Sequence, residues 1–137
     1  MARFEDLIAD WAAGRMEPPV AQLVGFHVTA GGAGTATVEL EAGPRHHNPM
    51  GIVHGGVLCD IADAAMGVAL ASVLAEGESF ATVSLAANYL RPVVESKLVA
   101  SARVIHRGRT IAHLECDVTD EKGRLVSRFT STCAVTR

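Results

Sequence analysis

Charged side chains are scarce in this sequence, 20% of 137 residues, and they balance to a formal charge of −3. No basic run or basic amphipathic helix accompanies that balance, which excludes a general attraction for nucleic acid or an anionic membrane surface. Any anionic ligand must be met by local groups. Sparse charge also leaves apolar surface to be covered, so the composition predicts association with further copies of the chain. There are three cysteines, Cys59, Cys116 and Cys133, odd in number and far apart. That excludes a disulfide framework and a zinc ribbon and suits a reducing cytoplasm. Aromatic residues are limited to one tryptophan, one tyrosine and four phenylalanines, too few to line a long tunnel. Met1 to Ala13 carry Glu5, Asp6 and Asp10 where a signal peptide would be continuously apolar, and no later run reaches the length of a membrane span. The expectation is a soluble, cytoplasmic protein whose single domain spans 1–137.

What is present is a clear alternation of patterns. Phe4, Leu7, Ile8 and Trp11 recur at helical spacing, with Glu5, Asp6 and Asp10 on the other side and Gly14 as a stop, which predicts an amphipathic helix within 1–14. Pro18-Pro19 ends it, and a short helical turn fits Val20 to Phe26. Gly31 to Gly34 reads as the turn of a hairpin between Phe26 to Ala30 and Thr35 to Glu41. Pro44 to Gly51 is polar and holds two prolines, hence a loop. From Gly55 the chain is apolar almost all round as far as Ala75, with Gly77 just beyond, which predicts a buried central helix over 55–76. Four alternating segments follow, Phe80 to Leu90, Lys97 to His106, Thr110 to Thr119 and Arg124 to Val135, joined by short turns and therefore antiparallel. Only the 55–76 helix is long enough to cover such a sheet. The fold class is α+β, an antiparallel sheet curled around one long helix.

The chemistry concentrates between Asn48 and Asp63. Gly55 and Gly56 open the central helix without side chains, so a ligand can reach the free N–H groups of its first turn. Donors fixed there would stabilise a carbonyl oxygen as it gains charge, an oxyanion-hole effect of ~3 kcal/mol per donor. A glycine-softened helix start is the plainer reading of the pair by itself. Asp63 lies two turns in, among Ile61, Ala62, Ala64, Ala65 and Met66. Desolvation there raises a carboxyl pKa toward the working pH, which suits a general base or a nucleophile; a carboxylate bonded to a structural partner is the competing account. Asp60 shares its face but sits nearer the helix start, where an acid is favourable without a function. Asn48 and His54 flank the site and could hold an attacking water or the reacting carbonyl compound, although each is also a common loop cap. The nine residues from His54 to Asp63 span ~13.5 Å of helix. If both act on one substrate, reacting groups within ~3 to 3.5 Å require Asp63 of one subunit to face Gly55 of another. His46, His47 and His54 lack the helical spacing of a zinc site, so no metal is expected. No G-x-S-x-G elbow is present either. Arg91, Lys97, Arg103, Arg107 and Arg109 stand against Glu95 alone, a local patch able to grip phosphates or simply to keep turns and edges soluble.

Asn48-Pro-Met-Gly-Ile-Val-His54-Gly55-Gly56, with Leu58 and Asp63, resembles the signature of hotdog-fold acyl-CoA thioesterases, in the phenylacetate-pathway (PaaI-like) branch. Thr82-Val-Ser-Leu-Ala-Ala-Asn-Tyr-Leu-Arg91-Pro92 is similar to the strand after the helix in that branch, and Arg107-Gly108-Arg109 to its hairpin. The resemblance implies dimers that pair into a homotetramer and hydrolysis of an acyl-CoA to the acid and coenzyme A, with no cofactor beyond the substrate's own. It implies that Gly55 polarises the carbonyl, that Asp63 of the partner activates water or attacks, and that Asn48 and His54 position the thioester. Gly56, Thr82, Arg91, Arg107 and Arg109 are the expected contacts to substrate and coenzyme A. A small aryl or short acyl group is expected, since Gly67 leaves modest room beside Asp63. A hydratase or dehydratase on the same fold and an acyl-CoA sensor are the alternatives. The single acidic N-terminal helix counts against a DNA-binding regulator.

Overall fold

Alternating burial along four of six strands and a nearly all-apolar helix are the two patterns from which the structure is built. The computed structural model describes residues 3–137. Met1 and Ala2 of the expected N-terminal helix lie outside the described residues, as do the side chains of Phe4 and Glu5. That helix is α1, Phe4–Ala12, and the turn expected after the prolines is α2, Pro19–Val24. Gly25 closes α2 at φ 96°, a left-handed conformation open to glycine without steric cost. The hairpin is β1, Phe26–Gly32, with β2, Thr35–Ala42. A 3-10 turn, Pro44–His46, starts the loop leading to α3, Gly55–Ala71. The remaining strands are β3, Ser79–Tyr89; β4, Ser96–Arg107; β5, Ile111–Thr119; and β6, Leu125–Thr136.

All pairings are antiparallel, in the order β1-β2-β4-β5-β6-β3. Alternate residues of β2, β4, β5 and β6 turn inward: Val38 and Leu40, Leu98 and Ala100, Leu114 and Cys116, Phe129 and Cys133, all nearly or fully buried. Against them α3 lays Leu58, Ile61, Ala62, Ala65, Met66, Val68, Ala69 and Leu70. Such a core stabilises by about 25 cal/mol per Å² of apolar surface removed from water. No helix among the described residues is long and apolar enough to cross a membrane.

The central helix is shorter than expected. It stops at Ala71 because Ser72 Oγ donates to Ala69 O at 2.7 Å and accepts from Gly34 N–H at 2.8 Å, tying the helix end to the β1–β2 turn. The residues to Glu76, apolar enough to read as helix, are instead a turn that Glu78 closes by accepting from Ala75 N–H at 2.7 Å. At the sheet's far end, β3 is an edge strand with a bulge between Thr82 and Ser84. Bulges re-aim side chains, and this one lies beside Asp63.

Candidate active site at the start of the central helix

His54 is the N-cap of α3, and its Nδ1 accepts the Gly56 N–H at 2.8 Å. The Val57 N–H goes to His54 O at 3.0 Å. Gly55 N–H, first in the helix, has no partner among the described residues. Of the two donors expected from the glycine pair, one is therefore taken by the cap and one is available to a ligand. The cap also fixes the imidazole: with Nδ1 accepting, the neutral ring carries its proton on Nε2 and presents a donor to solvent.

Tyr89, at the end of β3, covers this helix start. Its hydroxyl donates to Gly55 O at 3.0 Å and lies 3.2 Å from Cys59 Sγ, while its ring meets Phe129 edge-on at a centroid distance of 6.2 Å. A Cβ at Gly55 would stand 2.8 Å from Tyr89 Cζ, so any larger residue here must push the tyrosine ring off the helix start. Burial first, and the Cys59 thiol second, push the Tyr89 phenol up to about 12, which keeps it a donor at neutral pH. Tyr89 lay inside the resembling strand motif, but its reach to Gly55 is a tertiary contact that spacing does not reveal.

Asp63 projects from α3 toward β3, where Thr82 Oγ1 donates to its Oδ1 at 3.3 Å. Burial pushes its carboxyl above the ordinary carboxylate value, and the Thr82 bond partly opposes that. Behind Thr82 stands Cys133, nearly buried, with Sγ 3.8 Å from Thr82 Oγ1. Asp60 is raised too, by burial and then by the Asp63 charge, with His54 acting the other way. Asp60 and Asp63 both line a cavity of about 250 Å³ whose aromatic wall is Trp11, Phe26 and Phe80. Three of the six aromatics are thus gathered at one place. Sequence periodicity assigns Trp11 and Phe26 to separate elements and gives no sign of their meeting at a ring distance of 6.4 Å.

The remaining expected residues are spread more widely. Asn48 Oδ1 accepts from Met50 N–H at 2.9 Å and Ile52 N–H at 3.4 Å, holding the loop that leads into His54. His46 bonds Gly43 N and Val24 O, and His47 bonds Val94 O, so both pin loops. Lys97 pairs with Glu39, Arg103 with Glu115 and Asp117. The Arg107 guanidinium bonds the buried Glu78 carboxylate and Gly108 O. Arg91 and Arg109 are exposed and have no ion pair among the described residues. Arg91 follows β3 near the α3 start, whereas Arg107 and Arg109 lie at the opposite end of the sheet.

Residues 50–127 match the Thioesterase superfamily. The chain is 34% identical over 92 residues to the proofreading thioesterase EntH of Klebsiella pneumoniae, a match covering 67% of each. It is 29% identical over 114 residues to the 1,4-dihydroxy-2-naphthoyl-CoA hydrolase of Listeria monocytogenes, covering 83% of this chain and 93% of that one. Among solved structures, a thioesterase from Haemophilus influenzae superposes with a TM-score of 0.84 at 26% identity, covering 100% of this chain and 92% of the other. The phenylacetic acid degradation protein PaaI of Thermus thermophilus gives 0.78 at 29% identity, covering 85% and 98%. A helix start with a bare N–H, a carboxylate with a raised pKa on the same helix, a curled antiparallel sheet and these matches agree: the chain belongs to the thioesterase superfamily and is a hotdog-fold thioester hydrolase.

Proposed function

We propose that the protein hydrolyses a small aryl- or short acyl-CoA to the free acid and coenzyme A, at a site made by two copies of the chain. The observation that carries this is the pairing of Asp63, raised by burial at the mouth of an aromatic cavity, with the unpartnered Gly55 N–H eight residues earlier on the same helix. Eight residues are ~12 Å of helix, too far for both to touch one carbonyl. A second copy supplies the missing half. The exposed edge of β3 supports it: eleven residues, Ser79–Tyr89, without a charge or a proline to block pairing. Antiparallel addition of an identical edge is a two-fold contact and builds two equivalent sites. Pairs of such dimers would form the homotetramer.

In this reading Asp63 takes a proton from water, whose oxygen bonds to the thioester carbon. Gly55 N–H of the other copy holds the oxyanion, and the His54 Nε2–H beside it faces the sulfur as the C–S bond breaks. Asp63 then returns the proton to the coenzyme A thiolate. Tyr89 holds the Gly55 peptide in place, and Asn48 shapes the loop that delivers His54. Thr82 keeps one Asp63 oxygen occupied and leaves the other for water. Arg91 and Arg109 are the proposed phosphate contacts, while Arg107, through Glu78, anchors the β4–β5 turn that carries Arg109. No metal or other cofactor takes part.

Thiol release from a panel of acyl-CoAs tests the activity. Compact aryl and short acyl thioesters are expected to turn over in wild type, with Asp63→Asn slower by a factor of about 10² to 10⁴. Equal rates in the two proteins would remove Asp63 from the mechanism.

A further inference from the structure

Two cavities flank α1, and one side chain belongs to both. The smaller is the 250 Å³ cavity at Asp63, to which α1 contributes Ile8 and Trp11. The larger, about 530 Å³, runs on between α1 and the C-terminal half of α3. Its apolar lining includes Ile8, Ala9 and Ala12 of α1, with Val68, Ala71 and Leu74, and the polar side chains of Arg3, Ser72, Glu76 and Glu78 complete it. The first cavity is smaller than the ~300 to 1,000 Å³ usual for small-molecule sites, whereas the second falls inside that range. A group entering at Asp63 therefore has little room before it meets Ile8, and abundant apolar room beyond it.

We propose that Ile8 is the acyl-length gate of the site: it closes the Asp63 cavity against compact acyl groups and separates it from a groove under α1 that fits a longer saturated chain. The proposal rests on the thioesterase reading and extends it to α1, which precedes the residues 50–127 that match the family. The occupant of the groove is the acyl tail itself, because the groove adjoins the catalytic cavity with Ile8 alone lining both, and its wall beside Ile8 is aliphatic, from Ala9, Ala12 and Val68. Trp11 is fixed against Phe26 and forms wall. Ile8 is half-buried, lies one turn earlier, and is the α1 residue common to both spaces.

Truncating a gate changes which substrates fit more than it changes the reaction. Full-length wild type, Ile8→Ala and Leu7→Ala are assayed for kcat/KM on phenylacetyl-, butyryl-, octanoyl- and decanoyl-CoA, with melting curves for each. Leu7 is an exposed α1 residue that lines neither cavity, so its truncation reports general loosening of the helix. The expected result is a rise of about tenfold in the octanoyl to phenylacetyl ratio for Ile8→Ala, the scale on which pocket size discriminates methylenes, with Leu7→Ala unchanged. A ratio in folded Ile8→Ala within twofold of wild type overturns the gate, as does an equal rise in Leu7→Ala. Wild type inert toward all four thioesters overturns the hydrolase reading and the gate with it; wild type active on compact thioesters with an unmoved ratio overturns the gate alone.

Discussion

The proposed base, Asp63, has its pKa set by where the helix puts it: burial raises the carboxyl, and one hydroxyl, that of Thr82, pulls it back. Removing that hydroxyl in Thr82→Val should lift the Asp63 pKa further and move the acid limb of kcat/KM to higher pH than in wild type. A limb that stays in place would detach Thr82 from the base. The same shift bears on stability. The unfolded chain ionises Asp63 at its ordinary 3.8, the folded chain only at higher pH, so the folded state holds the proton more tightly. Ionised Asp63 therefore costs stability as pH rises from the ordinary value through the raised one. Asp63→Asn should melt above wild type at pH 7, and the difference should shrink below pH ~4. Tyr89→Phe keeps the ring on Phe129 but removes the bond to Gly55 O; kcat should fall by about tenfold with KM within about twofold. A change in KM alone would assign Tyr89 to binding. Asp63 and Gly55 stand out in the sequence as candidates because an acid among alanines and a glycine pair at a helix start are local anomalies. Tyr89, Trp11 and Phe80 do not, since their roles exist only once β3 and α1 are packed on α3.

At the level of elements, alternation along the strands and the apolar run of α3 gave every strand end within two residues and the start of α3, but not the C-terminus of that helix. There the composition stays apolar through Ala75, and nothing in it announces that Ser72 bonds backward to Ala69 and outward to the Gly34 N–H. Gly34 is buried, so Ser72→Ala leaves a backbone donor unmatched, and denaturant unfolding should show a loss of about 1 to 3 kcal/mol. A neutral substitution would mean the helix end is held by apolar packing instead. The β3 bulge was equally invisible, because one extra residue in an alternating run looks like a change of face.

For the whole molecule, sparse charge pointed to association, and the structure locates an uncharged, unpaired strand edge where association can occur. Val83, 65% exposed at the bulge, is on that edge strand. Val83→Lys places like charges together across a two-fold contact, and sedimentation should find folded monomers without thioesterase activity. Active monomers would put the whole site in one chain. The most direct measurement mixes two inactive proteins, Asp63→Asn and Gly55→Val, under conditions that exchange subunits. A mixed dimer has one site with Asp63 from one chain and Gly55 from the other, both intact. Random mixing in equal amounts should restore about a quarter of wild-type turnover; mixed dimers that are demonstrably formed yet remain inactive would contradict a site shared between subunits.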